Sequence, residues 1–196
     1  MRIIAGQYKG RELLSLPGRQ TTRPITGHVK KSLFGMLGED LTGRTVLDLY
    51  CGTGTLGLEA LSRGAVRCCF ADLDRNALHL LKRNIAALGA AGRCTVWSGD
   101  IPARLCAWLG ELTEPVDVAF VDPPYAEARR WDWRVVGETI FIPLARRLAA
   151  DGVVVLRLPG RVAPPETLGP LVTGRVRDYG DMLIAMFVMG SRQEIG

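Results

Sequence analysis

From Thr45 onward the chain alternates short apolar, β-branched runs with segments whose apolar residues recur at helical spacing. Thr45–Leu49, Arg67–Ala71, Arg93–Trp97, Val116–Val121 and Val153–Leu158 read as strands. Helices are predicted between them: from Thr55 to Gly64, from Asp74 or Arg75 to Leu88, from Pro102 to Leu109, and a long one over Arg134–Ala149. Near the end, Val172–Tyr179 and Met182–Met189 are joined by Gly180-Asp181 and read as an antiparallel hairpin. The pattern predicts a doubly wound, Rossmann-like α/β domain whose seven-stranded sheet is mostly parallel and closes with that hairpin.

The first forty-four residues follow a different pattern. Arg2–Ala5 and Arg11–Leu16 are short extended segments joined by Gly6–Gly10, followed by a polar loop through Arg23-Pro24. Thr26 then caps a helix with Val29, Leu33, Phe34, Met36 and Leu37 on its apolar face. The expected organisation is a hairpin-and-helix extension over 1–44, a main domain over 45–190, and a tail over 191–196.

Composition narrows the class. With 47% hydrophobic and 23% charged residues the chain is ordinary globular material. No apolar run approaches the roughly 20 residues of a membrane span. Five cysteines without C-x-x-C spacing and two histidines argue against a zinc site or disulfide framework, and fit a reducing cytoplasm. The net charge of +5 lies wholly in residues 1–44, which hold eight basic and three acidic side chains. A basic extension on a neutral domain suits a polyanion such as nucleic acid, with a merely solvated face as the plainer reading.

Two motifs carry candidate chemistry. Strand four ends in Asp122-Pro123-Pro124-Tyr125. Neither proline donates a backbone hydrogen bond, so a carboxylate, a carbonyl without a local donor and an aromatic face come together. That set suits a flat ring bearing an amino group; the alternative is a proline-stopped strand with a core tyrosine. After strand one, Gly52, Gly54 and Gly57 satisfy G-x-G-x-x-G, and Asp72 ends strand two. Spacing alone would allow a dinucleotide site. Asp48, four residues before Gly52, would repel a pyrophosphate and favours a ligand carrying ammonium and sulfonium groups. Asp72 is placed to hold ribose hydroxyls. Asp100 is either an acceptor for an adenine amino group or a helix cap, and Asp74 reads as a cap.

These residues resemble the class I S-adenosylmethionine-dependent methyltransferases, and D-P-P-Y is similar to the motif of members that methylate planar nitrogen. The segments RIIAGQYKGREL, TTRP, LFGML, VLDLYCGTGTLGLEALSRGA and DPPY resemble, in that order, the bacterial 16S rRNA guanine-N2 methyltransferases over residues 1 to about 190. Gly27-His28 stands where that family usually carries Asp-Arg. The resemblance implies a cofactor site at Asp48, Tyr50, Gly52, Gly54, Asp72, Leu73, Asp100 and Ile101. It implies catalysis at Asp122, Pro123, Pro124 and Tyr125, and RNA contact by Arg2, Lys9, Arg11, Arg23 and His28. The expected partner is 16S rRNA within a small-subunit assembly intermediate, met by a monomer, without a metal.

In this reading the Asp122 carboxylate and Pro123 carbonyl accept from the guanine amine, localising its lone pair, while Tyr125, or in part Phe141, stacks on the base. Three alternatives stay open: an adenine-N6 or cytosine-N4 methyltransferase, a nicotinamide oxidoreductase, and a non-catalytic RNA-binding assembly factor of the same fold.

Overall fold

The computed structural model describes residues 1–16 and 25–190. Its strands are β1 (Thr45–Leu49), β2 (Arg67–Asp72), β3 (Cys94–Ser98), β4 (Val116–Val121), β5 (Leu148–Pro159), β6 (Thr167–Leu168), β7 (Leu171–Asp178) and β8 (Met182–Met189). They form one sheet in the order β3-β2-β1-β4-β5-β8-β7-β6. β3 through β5 run parallel, and β8, β7 and β6 are antiparallel. The two-residue β6 on the outer edge is the eighth strand, added to the seven expected. It is too short to show a period.

Helices cover both faces. α1 (Gly27–Leu37), α2 (Thr55–Ser62) and α3 (Arg75–Ala87) pack on one side, and α4 (Ile101–Gly110) with the helical stretch after β4 on the other. Strand alternation divides the core accordingly. Cys68 and Phe70 of β2 and Val118 and Phe120 of β4 face the first layer, and Cys69, Ala71, Ala119 and Val121 face the second. Neighbouring Cys68 and Cys69 thus point to opposite faces, and all five cysteines are free thiols.

The long helix expected over Arg134–Ala149 is broken. α6 (Trp133–Val136), a π-helical turn (Gly137–Phe141) and α7 (Ile142–Ala145) take its place, and the separate short α5 (Tyr125–Ala128) precedes them. Pro143 cannot donate to the preceding turn and its ring crowds the carbonyl four residues back, so the ladder widens there. β5 correspondingly starts at Leu148, five residues earlier than expected, and accommodates Asp151-Gly152 through a register shift against β4.

The N-terminal segment is bound tightly to this frame. Residues 1–16 form an antiparallel turn with a single bridge, Arg2 to Glu12, rather than a full hairpin. Ala5 and Ile4 donate to the two carboxylate oxygens of Glu59 on α2, at 3.0 and 2.9 Å. Glu59 is fully buried and also pairs with Lys30 Nζ (2.9 Å) and Arg63 Nε (3.0 Å). Farther along, Asn84 of α3 bonds Leu14 through both its amide groups, and its Nδ2 also reaches the Thr53 carbonyl at 3.1 Å. Among the described residues no helix is long and apolar enough to cross a membrane.

Candidate active site

The chain reverses its winding between β1 and β4, and open α/β sheets offer a crevice beyond the strand ends at such a point. Here the crevice is a cleft of about 830 Å³. Leu49 pairs with Val121 across it, and Asp122 N donates to the Leu49 carbonyl at 3.3 Å, so Asp48 and Asp122 end adjacent strands on the same cleft.

Asp48 is buried, with Oδ2 accepting from Gly57 N at 2.8 Å. Burial pushes its carboxyl up to about 8, the Gly57 bond opposes this, and Asp122 and Asp72 add to it through repulsion. That bond draws α2 against the sheet. A Cβ at Gly57 would lie 2.3 Å from the Phe70 ring, and only glycine permits the approach. Gly54, at φ 87°, makes the left-handed turn into α2, where a Cβ would lie 2.4 Å from Leu81. Asp72 accepts from Gly52 N (2.7 Å) and Asp74 N (2.8 Å), and burial raises its carboxyl despite these bonds.

Asp100 caps α4 by accepting from Ala103 N at 2.9 Å, and it also lines the cleft. Asp74 caps α3. Leu73, two-thirds exposed, and buried Ile101 line the same wall. Tyr50 holds a positive φ of 58°, which costs a bulky residue on the order of 1–2 kcal/mol. Its hydroxyl donates to Glu127 Oε1 at 2.9 Å, and Trp131 Nε1 reaches the same oxygen.

At the β4 end, Asp122 Oδ1 accepts from Arg157 Nε of β5, in a largely buried ion pair. Burial still raises the Asp122 carboxyl, with the Arg157 charge opposing it. The Pro124 carbonyl accepts from Glu127 and Ala128 N–H (both 2.9 Å), while among the described residues no hydrogen bond reaches the Pro123 carbonyl. Tyr125 opens α5 half-buried, with the Arg157 and Arg129 guanidiniums 5.4 and 5.9 Å from its ring centroid.

Phe141, the expected second stacking partner, is fully buried against Phe187 and Trp131 and has no face to offer a base. Trp131 packs with Tyr50 and Trp133. The basic residues divide. Lys9, Arg11 and His28 are exposed, and Arg2 is paired at the surface with Glu12 (2.9 Å). Lys30, counted with the basic surface, is buried on Glu59. Arg23 and residues 191–196 lie outside the described residues.

Sequence inspection missed the contribution of the N-terminal segment to the cleft, whose wall includes Met1, Ser15, Leu16 and Ile25. It also missed Glu59, although a lone carboxylate in the apolar run Thr55–Ser62, four residues before Arg63, was a usable signal. Carboxylates Asp48, Asp72 and Asp100, the open glycine turn and the apolar rim fit a purine nucleoside bearing a cationic chain; a pyrophosphate would be repelled.

Known proteins share both the sequence and the fold of this chain. The Conserved hypothetical protein 95 family matches residues 1–188. The chain is 36% identical over 187 residues to "Putative rRNA methyltransferase YlbH" of Bacillus subtilis (strain 168), covering 95% of this chain and 98% of that one. It is 36% identical over 125 residues to "Ribosomal RNA small subunit methyltransferase D" of Escherichia coli (strain K12), covering 64% of this chain and 60% of that one. Among solved structures, "Putative methyltransferase yhhF from Escherichia coli" superposes with a TM-score of 0.76 at 26% identity, covering 98% of this chain and 99% of that chain.

Proposed function

This chain belongs to the Conserved hypothetical protein 95 family, and on that footing we propose that it methylates the exocyclic N2 amine of a guanine in small-subunit rRNA, using S-adenosylmethionine. One observation carries the reading: Asp122, at the end of β4, lines the same cleft as Asp48, Asp72 and Asp100, with Pro124 beside it. The names of the relatives, rRNA and small-subunit rRNA methyltransferases, supply the substrate class.

Bound in the cleft, S-adenosylmethionine supplies an electrophilic methyl group on a sulfonium. The protein does the rest by position and charge. Asp48 faces the cationic end, Asp72 the ribose, and Asp100 the adenine amine. A guanine amine delocalises its lone pair into the ring. Acceptance of its two hydrogens by Asp122 and the Pro123 carbonyl localises that pair and aims it along the line of transfer. The methylated nitrogen then loses one proton, which Asp122 is placed to take. Tyr125 stacks on the base, offsetting roughly 1–3 kcal/mol of the cost of unstacking it. Lys9, Arg11, Arg2 and His28 on the N-terminal segment and α1, with Arg23, contact the RNA backbone.

Labelled methyl transfer to small-subunit assembly intermediates, deproteinised rRNA and DNA tests the reading. Nucleoside mass spectrometry of rRNA from cells lacking the protein should show loss of N2-methylguanosine. Loss of N6-methyladenosine or N4-methylcytidine would reassign the target amine, and unchanged nucleosides with no cofactor affinity would favour an assembly factor.

A further inference from the structure

The partner of Asp122 has a consequence for the reaction. β4 and β5 are parallel neighbours with Val121 opposite Leu156, so Asp122, just past the end of β4, stands beside Arg157, still within β5 and paired with Ile184 of β8. Their side chains are 17% and 5% exposed, and both line the cleft. Behind them, α1, α2 and β8 present apolar Leu33, Leu56 and Ile184. Among the described residues, the charged or titratable groups that face the pair include Asp48 from β1 and Tyr125 from α5, with Arg129 beyond the Tyr125 ring. A buried ion pair contributes little net stability once both ions are desolvated. What it does impose is direction: a guanidinium donates along fixed vectors, whereas an ammonium is a point charge that leaves a carboxylate free to turn.

We propose that Arg157 is the positioning residue for methyl transfer: by holding Asp122 Oδ1 through Nε it turns the carboxylate so that Oδ2 meets the target amine, and the same guanidinium seats the Tyr125 ring. This rests on the proposed amine-methylating function. The Arg157 charge also opposes the upward push of burial on Asp122. Without that charge the carboxylate forms at higher pH, so the acid limb of the rate profile moves to higher pH.

The test compares Arg157→Gln and Arg157→Lys with the unaltered protein by three readouts. These are the NMR titration of the Asp122 carboxyl carbon, affinity for S-adenosylhomocysteine, and single-turnover methyl transfer against pH. For Arg157→Gln we expect the Asp122 titration and the acid limb to move up together, a transfer rate at least about ten-fold lower at neutral pH, and an affinity unchanged within about two-fold. For Arg157→Lys we expect a titration close to the original with a rate still several-fold lower, because charge is kept and direction lost. An unmoved titration with full transfer in Arg157→Gln overturns the proposal. If Arg157→Gln does not fold, full activity in Arg157→Lys overturns it and a reduced rate with normal titration supports it. The carboxyl titration needs no RNA, so a protein that transfers no methyl group but shows the shift would count against the proposed function and leave the Asp122–Arg157 coupling standing.

Discussion

Glu59 and Asp48 are both buried carboxylates at the α2–β1 junction, and their surroundings differ in one respect. Glu59 receives two backbone N–H groups, an ammonium and a guanidinium. Asp48 receives one backbone N–H and faces two further carboxylates, with no cation paired to it among the described residues. A carboxylate supplied with cations from its own chain joins two parts of a fold. One left short of positive charge beside an open cleft marks where an outside cation belongs.

The largest effect is expected at Glu59. Glu59→Ala leaves Lys30 and Arg63 buried without their acid, and should cost about 3–5 kcal/mol in urea unfolding. A loss under 1 kcal/mol would mean that the junction is not held as described. Next in size is Asp122→Ala, expected to lower methyl transfer about 100-fold or more while S-adenosylhomocysteine still binds. Full transfer would remove Asp122 from the reaction.

Asp48→Asn sharpens the contrast because its two effects have opposite signs. Cofactor affinity should fall at least ten-fold, whereas the unliganded protein should gain roughly 1–2 kcal/mol above pH 8. Asp48 titrates higher folded (about 8) than unfolded, so its contribution to stability is full below the unfolded value near 3.8 and is lost as pH rises toward 8. Thermal melts at pH 5 and pH 8.5 should therefore show the larger gain at the higher pH. The same shift predicts that S-adenosylmethionine binding releases a proton near neutral pH, seen by calorimetry in buffers of different ionisation enthalpy. The smallest effect is expected for Lys9→Ala or Arg11→Ala: RNA affinity falls a few-fold, and the salt dependence loses roughly one ion per charge removed.

Sequence periodicity determined the β-α-β-α order, the strand limits of β1 and β4, and the Thr26 and Asp74 caps, because alternation and capping are local. The acidic strand ends and the glycine turn were legible for the same reason: β1 and β2 must each end where the apolar run ends, and Asp48 and Asp72 are carried with them. Three features required the folded chain. The break in the helix before β5 reflects Pro143 acting within a packed layer, and its local pattern still reads as helix. The burial of Lys30 and Phe141 follows from which faces meet, which no count of charges or aromatics along the chain contains. The pairing of Asp122 with Arg157, thirty-five residues apart, and the closure of the cleft by Met1, Ser15, Leu16 and Ile25 depend on strand order and on Glu59 and Asn84 gripping the N-terminal segment. Local sequence sets which groups a strand end carries; only the sheet topology decides which of them stand beside one another.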